Sequence, residues 1–207
     1  GRAVRSMFDE RGPFSDFSGN PALNDRGEVA FQVVLDSGVI GVFKGKAGAY
    51  QTVADNTSDL HLVFGFSDPA LNDRGDVAFM AGTNLGGDGG GGATGFGVYV
   101  WRDGVLRTVL QQPLSEVFSM GQPAINNRGG VAFIVEPRYA EQILVTGPDP
   151  VLDRVIGRGD RLGGRTVKGV LFGRDGLNDA GQLAFVAVFS DGSTRAYLAT
   201  PLAAQQR

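Results

Sequence analysis

The sequence predicts an all-β protein, a four-bladed β-propeller whose blades are four-stranded antiparallel sheets. A motif of the form Asn-x-x-Gly-x-x-Ala-Phe occurs four times, and its asparagines lie 48, 54 and 52 residues apart, within the range of propeller blades. Each motif leads into a run of β-branched and apolar residues, a pattern typical of strands. The 33 glycines among 207 residues indicate an architecture rich in turns.

The spacing of the motifs places the whole chain, residues 1–207, in a single repeat domain. The same spacing sets the approximate limits of the four predicted blades. These are residues 20–56, 68–111, 122–157, and 174–200 together with an N-terminal strand over 3–8.

Each copy centres on a predicted hairpin. A short apolar pair runs into Asn-Asp or Asn-Asn, then into a glycine two positions later and a β-rich strand, which is the signature of two strands joined by a tight turn. The glycine stands where such a turn needs a positive φ, a conformation that costs glycine little. The residues predicted to build these turns are Asn24 and Gly27, Asn72 and Gly75, Asn126 and Gly129, and Asn178 and Gly181.

The strand after each turn alternates small and large apolar residues, as in Val29-Ala30-Phe31 and Val131-Ala132-Phe133. Both faces of this strand are therefore expected to be buried, one of them against a close neighbour. A third strand follows in every copy. A fourth follows in the first three copies only, over residues 50–54, 106–110 and 153–156.

The last copy lacks a fourth strand, and residues 3–8 are predicted to supply it. They stand in the same register to the first hairpin as residues 51–54 do to the second. Pairing with the last copy would close the ring and remove an exposed sheet edge. The alternative is that four blades form half of an eight-bladed ring, completed by a second copy or by further sequence.

Composition excludes several classes of function. The net charge is −3, and the 19 lysines and arginines are scattered along the sequence. The chain therefore lacks the basic patch of a nucleic-acid-binding protein. The absence of cysteine excludes disulfides and thiolate nucleophiles. No apolar run reaches the 18 residues that a membrane-spanning helix needs, so no membrane insertion is expected.

The four motifs, NDRGEVAF, NDRGDVAF, NNRGGVAF and NDAGQLAF, resemble the units of the bacterial NxxGxxAF tandem-repeat family, also called choice-of-anchor. The resemblance spans nearly the whole chain. It implies an exported protein at the cell surface, and it assigns no activity and no catalytic residue. The sequence shows neither a leader nor an anchor, which predicts a processed product or an excised domain.

The residue before the inner strand is polar in every copy, and the four are expected to converge at one mouth of the central channel. They are Asn20, Asp68, Gln122 and Asp175. Such a ring of oxygen and amide groups could hold calcium or another ion, hold ordered waters, or cap strand ends. The sequence indicates no other cofactor and no metal site.

Aromatic residues also cluster in the segments leading to that mouth. Most are expected to pack between blades, and any left exposed would mark a contact surface. They are Phe14, Phe17, Phe64, Phe66, Phe118 and Phe172. Trp101 is predicted to pack between blades as well, while His61 and the glycine-rich segment 86–92 are predicted to lie in loops.

The sequence therefore favours a noncatalytic extracellular or cell-surface module that binds a protein or assembles with itself. Self-assembly would follow if residues 3–8 closed a neighbour's ring instead of their own. A lectin-like module with one shallow sugar site per blade is the alternative. An enzyme, such as a hydrolase or lyase using Asp68 with Asp175 or Glu116, is a third possibility. It ranks last because nothing in the chain groups a nucleophile, a base and an electrophile.

Overall fold

The computed structural model describes residues 3–57, 60, 67–84 and 93–202. Within these residues the chain is all-β, with no helix, and its strands form four antiparallel sheets. We number the sheets as units 1 to 4 in chain order.

Units 1 and 2 each contain four strands in sequential order. Unit 1 consists of β1 (Phe14–Leu23), β2 (Val29–Leu35), β3 (Ile40–Lys46) and β4 (Ala49–Asp55). Unit 2 consists of β5 (Ala70–Leu71), β6 (Val77–Thr83), β7 (Gly95–Arg102) and β8 (Val105–Pro113).

Units 3 and 4 vary this plan. Unit 3 has five strands, because β9 (Val117–Met120) and β10 (Ala124–Ile125) both pair with β11 (Val131–Pro137), which β12 (Ile143–Val145) and β13 (Arg154–Gly157) follow. Unit 4 consists of β14 (Arg161–Leu162), β15 (Arg165–Leu171), β16 (Leu183–Phe189) and β17 (Thr194–Ala199). The predicted hairpins and the third predicted strand of each copy are all present. Unit 4 ends at β17, which is the third predicted strand of its copy.

The strand after each turn carries the core. Its alanine faces the next unit and its phenylalanine faces the previous one, so that Ala30 packs with Phe79, Ala78 with Phe133, and Ala132 with Phe185 in three successive clusters. The alanines allow the two sheets to approach closely, and the aromatic rings fill the space between them. The expectation of two buried faces is therefore confirmed for units 1 to 3.

The first unit has no preceding unit, and the N-terminal segment covers its phenylalanine face instead. The ring of Phe8 stacks on Phe31 at 5.0 Å between centroids, beside a cluster of Phe14, Phe31, Val33 and Phe43. Residues 3–8 form no strand. The predicted pairing of this segment with the last unit is therefore wrong, since burial of Phe8 holds it on unit 1.

Across the residues that the structure describes, the four units form an open array and do not close into a propeller. The alanine-bearing face of unit 4 remains exposed, and the edge of β17 pairs with no strand in the described part of the chain. No helix of the described residues is long and apolar enough to cross a membrane.

Candidate functional site

The turn asparagines organise the ends of the hairpins. In unit 2 the side-chain oxygen of Asn72 accepts hydrogen bonds from the backbone N–H groups of Arg74 (3.0 Å) and Asp76 (2.9 Å), and its nitrogen donates to the Asp76 carboxylate at 2.9 Å. The four turn glycines have φ of 72°, 88°, 83° and 76°. The side chain thus replaces missing backbone partners within the turn.

The same asparagines also join one unit to the next. The Nδ2 group donates to the backbone carbonyl of the following turn asparagine, from Asn24 to Asn72 (3.0 Å), from Asn72 to Asn126 (2.9 Å) and from Asn126 to Asn178 (2.9 Å). Asn24, Asn72 and Asn126 are buried. The short amide side chain can accept two bonds within its own turn and donate outward from a separate atom, which suits asparagine to this position.

A second set of bonds runs parallel to the first, one residue further along. The backbone N–H of Asp25 donates to the Asp73 carboxylate (2.8 Å), that of Asp73 to Asn127 Oδ1 (2.7 Å), and that of Asn127 to the Asp179 carboxylate (2.7 Å). In both sets, the turns of units 1 to 3 donate to the turn of the following unit. Asn127 Nδ2 in addition donates back to the Asp73 carboxylate (2.8 Å). We call the two sets together the turn ladder.

The turn ladder stops at both ends of the array. In the described part of the chain, Asn178 Nδ2 donates only to Gln182 of its own turn (2.9 Å), and the backbone N–H of Asp179 has no acceptor. At the other end, the carbonyl of Asn24 accepts only from Gly27 of its own turn (3.0 Å) among the described residues, and no asparagine of another unit donates to it. Unit 4 thus presents free donors and unit 1 presents free acceptors.

The apolar contact between neighbouring units also stops at unit 4, whose alanine-bearing face is exposed. Leu198 is opposite Ala184 in the sheet, and its side chain is 61% exposed, whereas the residues at the same register position in units 1 and 2, Lys44 and Val100, are 7% and 6% exposed. We call this surface the open face; it comprises Ala184, Val186, Val188, Thr194, Ala196 and Leu198. None of its side chains is charged.

Three of the four predicted channel-mouth residues come together near the axis. The side chain and the backbone N–H of Asn20 donate to the Asp68 carboxylate at 2.7 and 2.8 Å, and Gln122 donates to the same group. Unit 4 contributes Arg174 rather than Asp175. The Arg174 guanidinium donates to the carbonyls of Asn20 (2.9 Å) and Pro21 (3.2 Å), which ties unit 4 to unit 1.

This cluster is charge-balanced. Partial burial of Asp68 disfavours its charged form, but the hydrogen bonds from Asn20 and Gln122 and the positive charge of Arg174 outweigh burial and lower its pKa. The guanidinium thus stands where the sequence suggested calcium or another cation. Asp175 lines an adjacent cavity of about 310 Å³ between the inner strands. The described residues contain no group of three acidic, histidine or cysteine side chains suited to a metal ion.

A groove lies between units 3 and 4, and the sequence did not predict a site there. One of its residues, Phe118, was among the aromatic residues expected to pack between blades or to mark a contact surface. The groove encloses about 540 Å³ and is lined by Phe118, Glu136, Gln142, Lys168 and Leu171, among others. Phe118 is 65% exposed at its edge. Gln142 bridges the two units, accepting from the backbone N–H of Val170 (2.8 Å) and donating to Glu136 (3.0 Å).

The other predicted aromatic positions divide between core and surface. Phe14 and Trp101 are buried, Phe172 is partly buried, and Phe17 is partly exposed. Trp101 lies under the ammonium of Lys44, 4.7 Å from the ring centroid. His61, Phe64, Phe66 and segment 86–92 lie outside the described residues.

The open face had a signal in the sequence that periodicity alone could have revealed. The last unit keeps the apolar alternation of an internal unit, with Ala184, Val186 and Leu198 on one face. A terminal repeat that faces water normally carries a polar outer surface. Unit 4 departs from this rule, because its outer face is apolar and uncharged.

Comparison with models of known protein families gives a match over most of the chain. The model of a family described as a family of unknown function, DUF7453, matches residues 6–200. No curated protein matches the chain.

Proposed function

Because the chain belongs to DUF7453, a family of unknown function, we propose its function from the geometry: a noncatalytic structural module that assembles with copies of itself through the open face of unit 4. The observation that carries this proposal is the combination of an exposed, uncharged apolar face with unused donors of the turn ladder at the same end. Both features are satisfied at every junction between units inside the chain.

The energetic argument follows from the internal junctions. Burying apolar surface contributes about 25 cal/mol per Å² removed from water, and the leucine and alanines of the open face are exposed in the single chain. Contact with another molecule would bury them. The chain already uses this kind of contact three times, so a fourth requires no new chemistry.

The experiment is the mass in solution by light scattering over a range of concentrations. We expect the wild-type chain to associate as its concentration rises. Leu198→Lys should prevent association, because it places an unpaired charge in the contact. Lys44, at the same position of unit 1, is buried beside Glu28 (3.7 Å), whereas unit 4 has Gln182 in place of that glutamate. Leu152→Lys is the matched control: Leu152 is also exposed but lies in the loop before β13, and this variant should associate like the wild type.

Two results would contradict the proposal. A monomer of 21.7 kDa at every concentration would remove the basis for assembly. Association that persists unchanged in Leu198→Lys would place the contact elsewhere on the molecule.

The noncatalytic part of the proposal is supported by the ionisation state of the Asp68 carboxylate. Asp68 accepts hydrogen bonds from Asn20 and Gln122, and its lowered pKa keeps it ionised, which makes it a poor general acid. The hydrogen bonds that the Asp68 carboxylate accepts serve to join neighbouring units. An extracellular or cell-surface location belongs to the same proposal and is supported by the resemblance of the motifs to NxxGxxAF repeats.

A second candidate function, carbohydrate binding, is favoured by the groove between units 3 and 4. An exposed phenylalanine can stack on the apolar face of a sugar, and Glu136, Gln142 and Lys168 offer polar groups beside it. This arrangement occurs between units 3 and 4 rather than once per unit, so the proposal is for one site.

A glycan array tests this candidate. Phe118→Ala should abolish any binding that the wild type shows. Tyr139→Ala is the control, because Tyr139 is 90% exposed and does not line the groove. Absence of binding by the wild type, or equal loss in both variants, would reject a sugar site at this position.

A further inference from the structure

We propose that the partner surface for the open face is the phenylalanine face of unit 1 in a second copy of the chain, and that residues 6–12 are a removable cap over that surface. This inference rests on the proposed function and specifies it. Assembly is then head to tail, with unit 4 of one molecule packing where a preceding unit of the other would stand.

The first support is that the two faces match each other as internal faces do. Inside the chain, every alanine face packs on the phenylalanine face of the following unit. The remaining alanine face belongs to unit 4, and the remaining phenylalanine face, with Phe31 and Phe43 paired across β2 and β3, belongs to unit 1. A second copy therefore brings together the two unmatched halves of an interface the chain already builds.

The second support is the polarity of the turn ladder. Donors remain at unit 4, on Asn178 Nδ2 and the backbone N–H of Asp179. Acceptors remain at unit 1, on the carbonyl of Asn24 and the carboxylate of Asp25. Joining unit 4 to unit 1 of a second copy would continue both sets of bonds, whereas joining two copies of unit 4 would set donors against donors.

The third support is how the N-terminal segment is attached. Its hydrogen bonds are local, such as Gly12 N–H to the Asp9 carbonyl (3.0 Å), and none joins residues 3–12 to a strand in the described part of the chain. Phe8 provides the aromatic contacts, with Phe31, Phe14 and Tyr50. A cavity of about 320 Å³ lies between the segment and unit 1.

These observations describe a segment that substitutes for a preceding unit without its hydrogen bonds. Phe8 covers Phe31 from water, as an alanine face would, but no ladder bond is formed with Asn24 or Asp25. A preceding unit supplied by another molecule would form both the apolar contact and the ladder bonds. It should therefore displace the segment when its concentration is high enough.

The experiment is sedimentation velocity on variants that uncap one end or block the other. Phe8→Ser removes the ring that holds the cap, and we expect it to lower the dissociation constant of assembly by roughly tenfold or more, because burial of one phenylalanine is worth at least that factor. Phe8→Leu, which keeps an apolar side chain, should shift the constant in the same direction by less. A synthetic peptide of residues 3–13 should reverse the effect of Phe8→Ser.

A mixing experiment tests the direction of assembly. The double variant Phe8→Ser, Ala184→Lys has an uncapped unit 1 and a blocked unit 4, so it should be monomeric alone. Mixed with the capped wild type, whose unit 4 is free, it should form a one-to-one complex. Adding Asp25→Lys to the double variant should weaken that complex, because it removes the ladder acceptor.

The outcomes separate this inference from the proposed function. Assembly that Leu198→Lys abolishes but that neither Phe8 variant strengthens would mean that unit 4 pairs with a different surface, which rejects the cap and leaves the proposed function standing. Self-association of the double variant alone would also reject the inference. Absence of assembly in the wild type at every concentration would reject both.

Discussion

At the scale of single residues, one amide side chain performs two tasks in each turn. The oxygen of the turn asparagine holds backbone N–H groups of its own hairpin, and the nitrogen reaches the next unit. Aspartate could perform the first task but not the second, because it lacks the donor. In the sequence, the second task is indicated only by the recurrence of asparagine at this position.

Asn126→Asp isolates the donor that joins units 3 and 4. It keeps the acceptor for Arg128 and Gly130 and removes the bond to the carbonyl of Asn178. Because the site is buried, we expect a loss of about 1–3 kcal/mol in the free energy of unfolding, measured in urea.

Asn178→Asp is the matched control for this substitution. Asn178 has the same bonds within its turn, to Ala180 and Gln182, but it is exposed and has no following unit to bond. Its cost should be clearly smaller. Equal costs in both variants would show that the bond between units contributes nothing measurable.

Asp68 predicts a dependence of stability on pH. Its folded-state pKa is lowered below that of the unfolded chain, which is about 3.9, so its ionised form stabilises the fold above that pH. This contribution is lost as the pH falls through the folded-state value. The stability difference between wild type and Asp68→Asn, from urea unfolding, should therefore be larger at pH 7 than at pH 3. A difference independent of pH would mean that Asp68 ionises alike in both states.

At the scale of elements, the alternation along β2, β6, β11 and β16 sets the contacts between sheets. The small side is always alanine, and it packs directly against the next unit in the first three cases. The residue at the same position of β16 is also an alanine, Ala184, but it is exposed to solvent. Identical residues therefore contribute differently to stability according to their place in the array.

Ala78→Leu and Ala184→Leu compare a closed position with the open one. Ala78 is fully buried at the junction of units 2 and 3, so the added volume should cost about 1–3 kcal/mol of unfolding free energy. Ala184 is exposed on the open face, so the same change should be nearly neutral in the single chain. Thermal or urea unfolding of the two variants is the measurement; a large loss in Ala184→Leu would show that this face is already covered.

The elements that precede the turns were beyond the reach of sequence patterns. The first half of β1 and the strands β9, β14 and β15 lie upstream of the predicted blades. Segments such as Phe14–Phe17 lack the strict alternation that marks a strand, and β1 is interrupted by register shifts. Their extended form depends on pairing with the strand after the turn, which only the folded sheet provides.

At the scale of the whole molecule, the units form a directional array with two different ends. One end is covered by Phe8 and offers acceptors, and the other is exposed and offers donors. Interfaces of this heterologous kind close into rings or extend as filaments. In the proposed assembly, each molecule would supply the surface that the next one lacks.

Hydrogen exchange should reveal this asymmetry in the monomer. The strands β7 and β17 occupy the same place in their units, but β7 is paired on both sides while β17 has a free edge. Amides of β17 should exchange faster than those of β7, and assembly should slow exchange in the turn that follows Leu177. Equal protection of the two strands in the monomer would contradict the open array.

The sequence by itself determined the repeat, the turns and the two-sided strands, because these depend on local chemistry. Asn24 and Gly27 specify a tight turn wherever they stand, and alternation of Ala30 with Phe31 specifies a strand between two surfaces. Residues such as Asn20 and Asp68 were brought together by the same repetition.

Tertiary structure alone decided how the array ends. Phe8 covers Phe31, and residues 3–8 form no strand on the last unit. Arg174, and not Asp175, ties unit 4 to unit 1 by donating to the carbonyls of Asn20 and Pro21. These outcomes depend on which surfaces lie within reach once the units have packed. Burial and charge balance are properties of that arrangement and not of any local segment, since the same alanine and asparagine are buried in unit 2 and exposed in unit 4.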